Sequence, residues 1–369
     1  MSRRDQIRKR SHAPKTRMSR ESGAGQVVLH LFLALVGLAV GFLLYLFLLL
    51  GQPLHRRVAV VDSLSTVSLD AVRLDEESGD AVPWEQSGRT RVFVHEDFPI
   101  RKVEQRDPDI ENVLVFGIDA RSPNHIAGRA DTMVILTIDK KHLAIKLTSL
   151  LRDTSVNIDG RSQPSRLNDA YALGGIGLLL NTINETFSLD IQRFAMFDFG
   201  SAAGLIDALG GVEVDIRSEE IDPLNANIRD MNRLTDHESS MIDQPGRQRL
   251  DGWQAIAWAR IRQFDSEYAG TDRQRTVMMR LIDQYTNASV SSLVAMAGDG
   301  LAAFETNMTN VDLIRLGISA LPLADDVLQY SIPEDGLFRI NPDPWMMIVD
   351  YDRQIPALHA FIYGDGFRD

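Results

Sequence analysis

A chain of 369 residues exceeds one average domain but suits one large α/β domain with appendages, and it is long enough to bury a sizeable core. It contains no Cys, which excludes structural disulfides, thiolate nucleophiles and cysteine-held zinc or iron-sulfur centres. The formal net charge of −12 is unevenly spread: residues 1–25 carry eight Lys or Arg against Asp5 and Glu21, so a basic arm precedes an acidic body, an asymmetry that points to a membrane or a polyanion.

Val27 to Leu50 follows the arm without one charged residue. At about 1.5 Å rise per residue a helix of that length exceeds a hydrocarbon core about 30 Å thick, so residues 26–51 are expected to form a single transmembrane helix. A cleaved signal peptide has a shorter apolar region and a small-residue cleavage site, absent here. The basic residues ahead of the span place residues 1–25 in the cytoplasm and the remainder outside, a single-pass protein of the cell membrane. That topological role is sufficient for the arm, and no nucleic-acid partner is expected.

Residues 52–108 read as a membrane-proximal spacer with strand character at Val58 to Val61 and Arg91 to Val94. The main domain is expected over 109–369. Val113 to Ile118, Met133 to Ile138 and Ala144 to Leu147 are short and rich in Val, Ile and Leu, as buried strands are. Ser162 to Gly175 is polar and turn-rich, and Ile176 to Phe187 resumes at helical spacing after Gly174 and Gly175. Phe194 to Phe197 reads as a strand, Ala202 to Leu209 as a helix closed by Gly210 and Gly211, and Val212 to Ile216 as the next strand. Arg217 to Gln248 is charged and poorly periodic, which predicts a mobile excursion. Helices are expected over Gly252 to Ala259, Arg273 to Tyr285, Val290 to Phe304, Val311 to Leu321 with Asn310 as cap, and Ile355 to Ile362; Val327 to Ile332 reads as a strand. Strands alternating with helices favour an α/β domain layered α-β-α around a mixed central sheet.

Polar residues gather where the first three strands end. Asp119 follows one strand and Asp131 opens the next, so both carboxylates can approach one side of the sheet; two hard oxygen ligands suit Mg²⁺, which completes its shell with water and phosphate oxygens. Turn aspartates after strands would look the same. Arg129, Arg152, Arg166, Arg260 and Arg262 form a candidate anion clamp, since a planar guanidinium binds phosphate oxygens through paired hydrogen bonds. An extended Ala259 to Gln263 would send Arg260 and Arg262 to one face. The His residues form no metal-binding pattern, and no GxSxG, P-loop or GxGxxG sequence is present.

The blocks VLVFGIDAR, GRADTM, LLRDT, SRLNDAYALGG, FDFGSAAGLIDALGGVEVDI, QRLDGWQAIAWARIR and DRQR, in that order from about Asn112 to Arg275, resemble the LytR-CpsA-Psr family of bacterial cell-envelope proteins. The resemblance implies transfer of a glycopolymer from a polyprenyl-pyrophosphate carrier to a cell-wall acceptor, usually a peptidoglycan hydroxyl, forming a phosphodiester. Carried onto matching positions, it gives Asp119 and Asp131 to the Mg²⁺ and pyrophosphate, and Arg129, Arg152, Arg260 and Arg262 to phosphate oxygens. Arg166 and Asn168 match a basic-x-Asn block and are implied to line the site, and Arg273 and Gln274 fall on the family's Arg-Gln pair. Gly270 sits where the family has a further Arg, a place that Arg275 is near enough to supply. The general base stays open among Asp131, Asp153 and Asp265. A pyrophosphatase, or a lipid-carrier-binding or regulatory protein without turnover, would use the same residues.

Overall fold

The structure is a computed structural model. It describes residues 54–56, 58–62, 72–74, 81–83, 98–118, 128–234, 237–261, 267–286, 304–323 and 327–364. The chain divides into units 1–46 and 47–369, and all described residues belong to the second. The basic arm, the apolar run, Arg91 to Val94, Asp119, Arg262, Asp265 and 290–303 of an expected helix lie outside the described residues. Among the described residues no helix is long and apolar enough to cross a membrane.

In chain order the strands and helices are β1 Leu54–His55, β2 Val60–Val61, β3 Val72–Leu74, β4 Ala81–Pro83, β5 Ile100–Arg101, β6 Ile110–Ile118, β7 Ala130–Asp139, β8 Ala144–Leu150, β9 Ser155–Val156, β10 Ser165–Arg166, α1 Asp169–Phe187, β11 Arg193–Phe197, α2 Phe199–Ala208 and β12 Val212–Ile216. There follow α3 Ile221–Leu234, β13 Gly246–Leu250, α4 Gly252–Ala259, α5 Glu267–Thr286, β14 Glu305–Thr306, α6 Asn310–Ala320, β15 Val327–Ile332, β16 Phe338–Pro342, β17 Trp345–Val349 and α7 Tyr351–Tyr363. A seven-stranded mixed sheet runs β1-β14-β11-β6-β7-β8-β15.

Both faces of this sheet are covered, which is why its strands are apolar runs without alternation. Leu114, Phe116, Met133 and Ile135 pack on one face against Ile176, Leu179, Leu180, Ile183 and Phe187 of α1 and Leu358 and Ile362 of α7. The alternate residues Val134, Ile138, Ile145 and Leu147 turn to the other face, against Met278, Met279 and Ile282 of α5 and Leu316 of α6. Each fully buried Leu or Ile contributes about 1.5–3 kcal/mol over leaving it in water. The result is the expected α-β-α layering. A second apolar cluster joins Ile206, Val212, Val214, Leu224, Ile228, Met231, Leu250, Ala257 and Trp258, and so binds α2, β12, α3, β13 and α4 together.

Several expectations are corrected. Among the described residues of the excursion predicted over Arg217 to Gln248 there is regular structure: α3 buries Leu224, Ile228 and Met231, spaced four and three residues apart on one stripe. The return segment is tied down by two amide brackets, Asn225 exchanging hydrogen bonds with the Ile242 backbone at 2.9 and 2.8 Å and Asn232 with Ser239 at 3.0 and 2.9 Å. The polar stretch before Gly174 is helical from Asp169, and Gly174 and Gly175 break α1 instead of starting it, Gly175 with φ of 65°. α6 is capped by Thr309, whose Oγ1 accepts from Asp312 N at 3.2 Å while Asp312 accepts from Thr309 N at 2.9 Å; Asn310 is inside the helix. Two pieces of the spacer enter the main body, β1 at the sheet edge and Ile100 in the core.

The break in α1 receives the chain preceding β5. Phe98 donates its backbone N–H to Gly174 O at 3.0 Å, and a Cβ on Gly177 would lie 1.6 Å from Phe98 O. Gly177→Ala therefore forces the two backbones apart, and its melting temperature should fall by about 2–8 °C, the shift that about 1–2 kcal/mol of overpacking gives at about 2–4 °C per kcal/mol. A second prediction comes from the amino end of β6, where Glu111 is ringed by Lys140 at 2.5 Å, Arg193 at 2.7 Å and Arg315 at 3.1 Å. Burial pushes its carboxyl up, and the three cations more than reverse this, to about 2 from the ordinary 4.5. A lowered folded value means stability that is present above pH 4.5 and lost as pH falls towards 2. Acid titration of unfolding should show this loss in the native protein and a flatter acid limb in Glu111→Gln.

Candidate active site

Strands β6 and β11 are parallel, β8 and β15 are parallel, and β7 runs opposite to β6 and β8 between them. The carboxyl ends of β6, β8, β11 and β15 thus open at one end of the sheet beside the amino end of β7. In open α/β sheets ligands bind outside the carboxyl ends of the strands. Of the expected residues, Arg129, Asp131, Arg152, Arg166 and Asn168 come together at this end.

Asp131 is delivered by a β-bulge. Gly117 pairs with Thr132 and Ile118 with Ala130, so Asp131 is the extra residue on β7. A bulge re-aims a side chain and ends regular pairing, which frees this carboxylate from either sheet face. Across from it the chain leaves β8 in a turn in which Thr154 bonds Leu151 O through both N–H, at 3.1 Å, and hydroxyl, at 2.6 Å. That turn projects Arg152, whose Nη1 donates to Asp131 Oδ1 at 3.1 Å and whose Nε donates to Asp153 Oδ2 at 3.2 Å. Asp131 is 26% exposed and Asp153 only 7%. The latter carboxylate is therefore spent on orienting Arg152.

Backbone bonds from Leu167 N to Thr154 O at 2.8 Å and from Asn168 N to Arg152 O at 3.1 Å bring the start of α1 against this turn. Asn168 is buried and points its Nδ2 at Asp131 Oδ1, 3.4 Å away. One helical step on, Asp169 is shared by two arginines: Oδ1 lies 3.4 Å from Arg129 Nε and accepts from Arg166 Nη2 at 3.4 Å, and Oδ2 accepts from Arg166 Nε at 3.4 Å. Asp169 was not among the expected site residues. Its only mark in the sequence is a place directly after Asn168, where an acidic first-turn residue is also what helix electrostatics favours.

Arg260 arrives from the second cluster. The extended backbone expected over Ala259 to Gln263 is not found at Arg260, which caps α4 with φ −91° and ψ −1°. Its guanidinium stacks at 4.5 Å over Phe199, two residues beyond the carboxyl end of β11. Arg273, in contrast, is buried away from solvent; it donates to Glu220 Oε1 at 3.1 Å and to the Ile261 carbonyl. Burial pushes the Glu220 carboxyl up, but the Arg217 amide and guanidinium and the Trp258 indole N–H overcome this and hold it below the usual range. Arg273 thus steadies the backbone between Arg260 and Arg262. Gln274 is half-buried beside it on α5, and Arg275 donates to Ser331 Oγ at 2.8 Å on β15.

The donor chemistry suits a hard cation. Asn168 Oδ1 is buried and, among the described residues, accepts no hydrogen bond, and it belongs to the same side chain that reaches Asp131. An orphaned amide oxygen and a partly exposed carboxylate are ligands of the type Mg²⁺ takes. Among the described residues no group of three or more His, Asp or Glu could hold a metal.

Fold and site together define an α-β-α protein with a guanidinium-lined, carboxylate-braced crevice at the carboxyl ends of its strands. The model of the LytR_cpsA_psr family matches residues 85–352, and the chain belongs to that family. It is 30% identical over 242 residues to the polyisoprenyl-teichoic acid–peptidoglycan teichoic acid transferase TagU of Halalkalibacterium halodurans, covering 64% of this chain and 73% of that one. To the polyisoprenyl-teichoic acid–peptidoglycan teichoic acid transferase TagT of Bacillus subtilis it is 29% identical over 201 residues, 53% of this chain and 59% of the relative. Among solved structures, TagT bound to LIIa-WTA matches with a TM-score of 0.56 at 23% identity, over 71% of this chain and 95% of that one. The family protein YwtF (TagT) with bound octaprenyl pyrophosphate lipid matches with 0.53 at 22% identity, over 71% and 94%. At these identities the structures establish a common fold.

Arg152 touches two carboxylates and is 27% exposed, so its removal leaves the core intact. Arg152→Ala should melt within a few degrees of the native protein yet bind inorganic pyrophosphate at least about tenfold more weakly by calorimetry, the loss of one charge-assisted hydrogen bond of about 1.5–3 kcal/mol. Unchanged affinity would remove Arg152 from the anion site.

Proposed function

We propose that this protein is a Mg²⁺-dependent phosphotransferase, anchored in the cell membrane by one N-terminal helix, that moves a glycopolymer from a polyprenyl-pyrophosphate carrier to a peptidoglycan or other cell-wall hydroxyl. The observation that carries this reading is the convergence of Arg129, Arg152 and Arg166 on Asp131, Asp153 and Asp169 at one end of the sheet. The relatives' transfer of teichoic acid to peptidoglycan supports it, as does the octaprenyl pyrophosphate bound by one structural neighbour.

In this reading the acceptor hydroxyl attacks the sugar-linked phosphorus, the bond to the bridging oxygen breaks, and polyprenyl phosphate leaves. Charge grows on the leaving phosphate, and guanidinium groups already oriented by carboxylates stabilise it without reorganising at the moment of reaction. Arg129, Arg152, Arg166 and Arg260, with Arg262, hold phosphate oxygens. Asp131 and Asp119 would hold the Mg²⁺, with Asn168 beside them, and the ion would supply neutralisation of the pyrophosphate. Gln274 lines the approach and Arg273 fixes the Ile261 carbonyl. The hydroxyl proton goes to Asp131 or Asp265; Asp153 is less suited because its carboxylate is buried against Arg152.

Incubating the full chain in detergent micelles with a polyprenyl-pyrophosphate glycan, Mg²⁺ and peptidoglycan fragments should yield, by mass spectrometry, glycan joined to acceptor through one phosphate, and chelating the metal should suppress it. Free phosphorylated glycan alone would assign a pyrophosphatase, and intact bound carrier lipid a binding protein.

A further inference from the structure

A carboxylate placed between two substrate-binding arginines opposes the binding of an anion, and its retention calls for a gain elsewhere. Asp169 is such a group: it is 11% exposed at the side chain and shared by Arg129 and Arg166. The two hydrogen bonds from Arg166 and the ion pair with Arg129, each 3.4 Å, are longer than the usual 2.7–2.9 Å of a charge-assisted bond, so the carboxylate orients both guanidiniums while leaving them able to adjust. Its Oδ1 lies 3.4 Å from Arg129 Nε, an ion-pair distance without hydrogen-bond geometry, so the carboxylate's charge holds that guanidinium on its side of the crevice. It takes Arg166 through the Nε and Nη2 edge, and Arg166 is itself held in register by β10 opposite Ser155.

We infer that Asp169 is a positioning residue for phosphate transfer, whose buried carboxylate aligns Arg129 and Arg166 and cancels one unit of their charge so that the pair favours the transition state over the resting pyrophosphate. The inference rests on the proposed function. Replacing Asp169 by a neutral residue adds one unit of positive charge to the crevice, while Arg152 keeps Asp131 and Asp153 beside it. Ground-state pyrophosphate is then bound at least as firmly, but by guanidiniums that no longer share one fixed orientation. Binding that strengthens in the ground state alone does not accelerate the chemical step. A role confined to helix α1 predicts something else: Asp169 is its first residue, and losing a first-turn charge costs stability and leaves turnover per folded molecule unchanged.

The test compares native full chain, Asp169→Asn and Asp169→Glu in detergent by melting temperature, calorimetric binding of inorganic pyrophosphate, and kcat and KM for the lipid-linked glycan. The Asn variant should bind pyrophosphate as tightly as the native protein or tighter, with KM unchanged or lower and kcat down about a hundredfold, the scale of an ångström's misplacement. Native kcat in that variant, or pyrophosphate affinity and turnover falling in proportion, overturns the inference. Should the Asn variant not fold, the Glu variant decides: it keeps the charge and moves the carboxylate by one methylene, so retained pyrophosphate affinity with reduced kcat supports positioning and native kcat refutes it. Native protein that binds pyrophosphate but forms no product overturns the transferase reading instead.

Discussion

Between Gly117 and Ile118 the register of β6 against β7 shifts by one residue, and Asp131 is left over. Arg152 and Asn168 are arranged about that carboxylate. In regular pairing Asp131 would turn to one face of a sheet whose two faces are both packed with Leu, Ile, Val and Met, where a lone charge costs several kcal/mol even after relaxation. Released by the bulge, it stays partly solvated and receives Arg152 from the turn after β8 and Asn168 from the start of α1. A sheet covered on both sides has only its ends for chemistry, and the bulge puts a carboxylate at one of them.

The arginines divide by how much water they keep. Arg152, Arg129 and Arg166 sit at the rim, each beside a carboxylate that aims it, and partial solvation leaves them able to exchange protein contacts for a ligand's oxygens. Arg273 is buried with Glu220 and the Ile261 carbonyl, in a network that also takes in Arg217 and Trp258. The same residue type thus serves recognition at one depth and scaffolding at another. At the far end of the sheet Glu111 shows a third use, one carboxylate drawing Lys140, Arg193 and Arg315 together over the amino end of β6.

The layered core was legible because its strands are apolar throughout and its helices repeat at 3.6 residues, and the carboxyl-end placement of Arg152 and Asp131 followed from where the apolar runs stop. The stripe of Leu224, Ile228 and Met231 was equally readable, but Asn225, Asn232 and the surrounding charges mask it; their role emerges only when the amides are seen to bracket Ile242 and Ser239. β16 and β17 were passed over, as strand pairing between short half-exposed segments leaves a weak pattern. The role of Asp169 between two arginines and the burial of Arg273 were not legible. Both depend on which partner lies across space, and neighbours in sequence carry no record of that.

Arg260 shows how far such a dependence reaches. Its guanidinium rests on Phe199, and Phe199 begins α2 directly after β11 through a capping box in which Asp198 accepts from Ser201 N at 2.7 Å. Helix α4, which carries Arg260 at its end, is locked to α2 at Gly252: a Cβ there would lie 2.1 Å from Ala203 O, and Gly252 N donates to Asp207 Oδ1 at 2.7 Å. The two helices therefore cross at backbone contact, a separation only glycine permits. Because α2 is continuous with a central strand, that contact ties Arg260 to the sheet whose other strand ends carry Asp131 and Arg152. A larger residue at position 252 would move the arginine off Phe199 without touching it, through a change made in the packing of two helices.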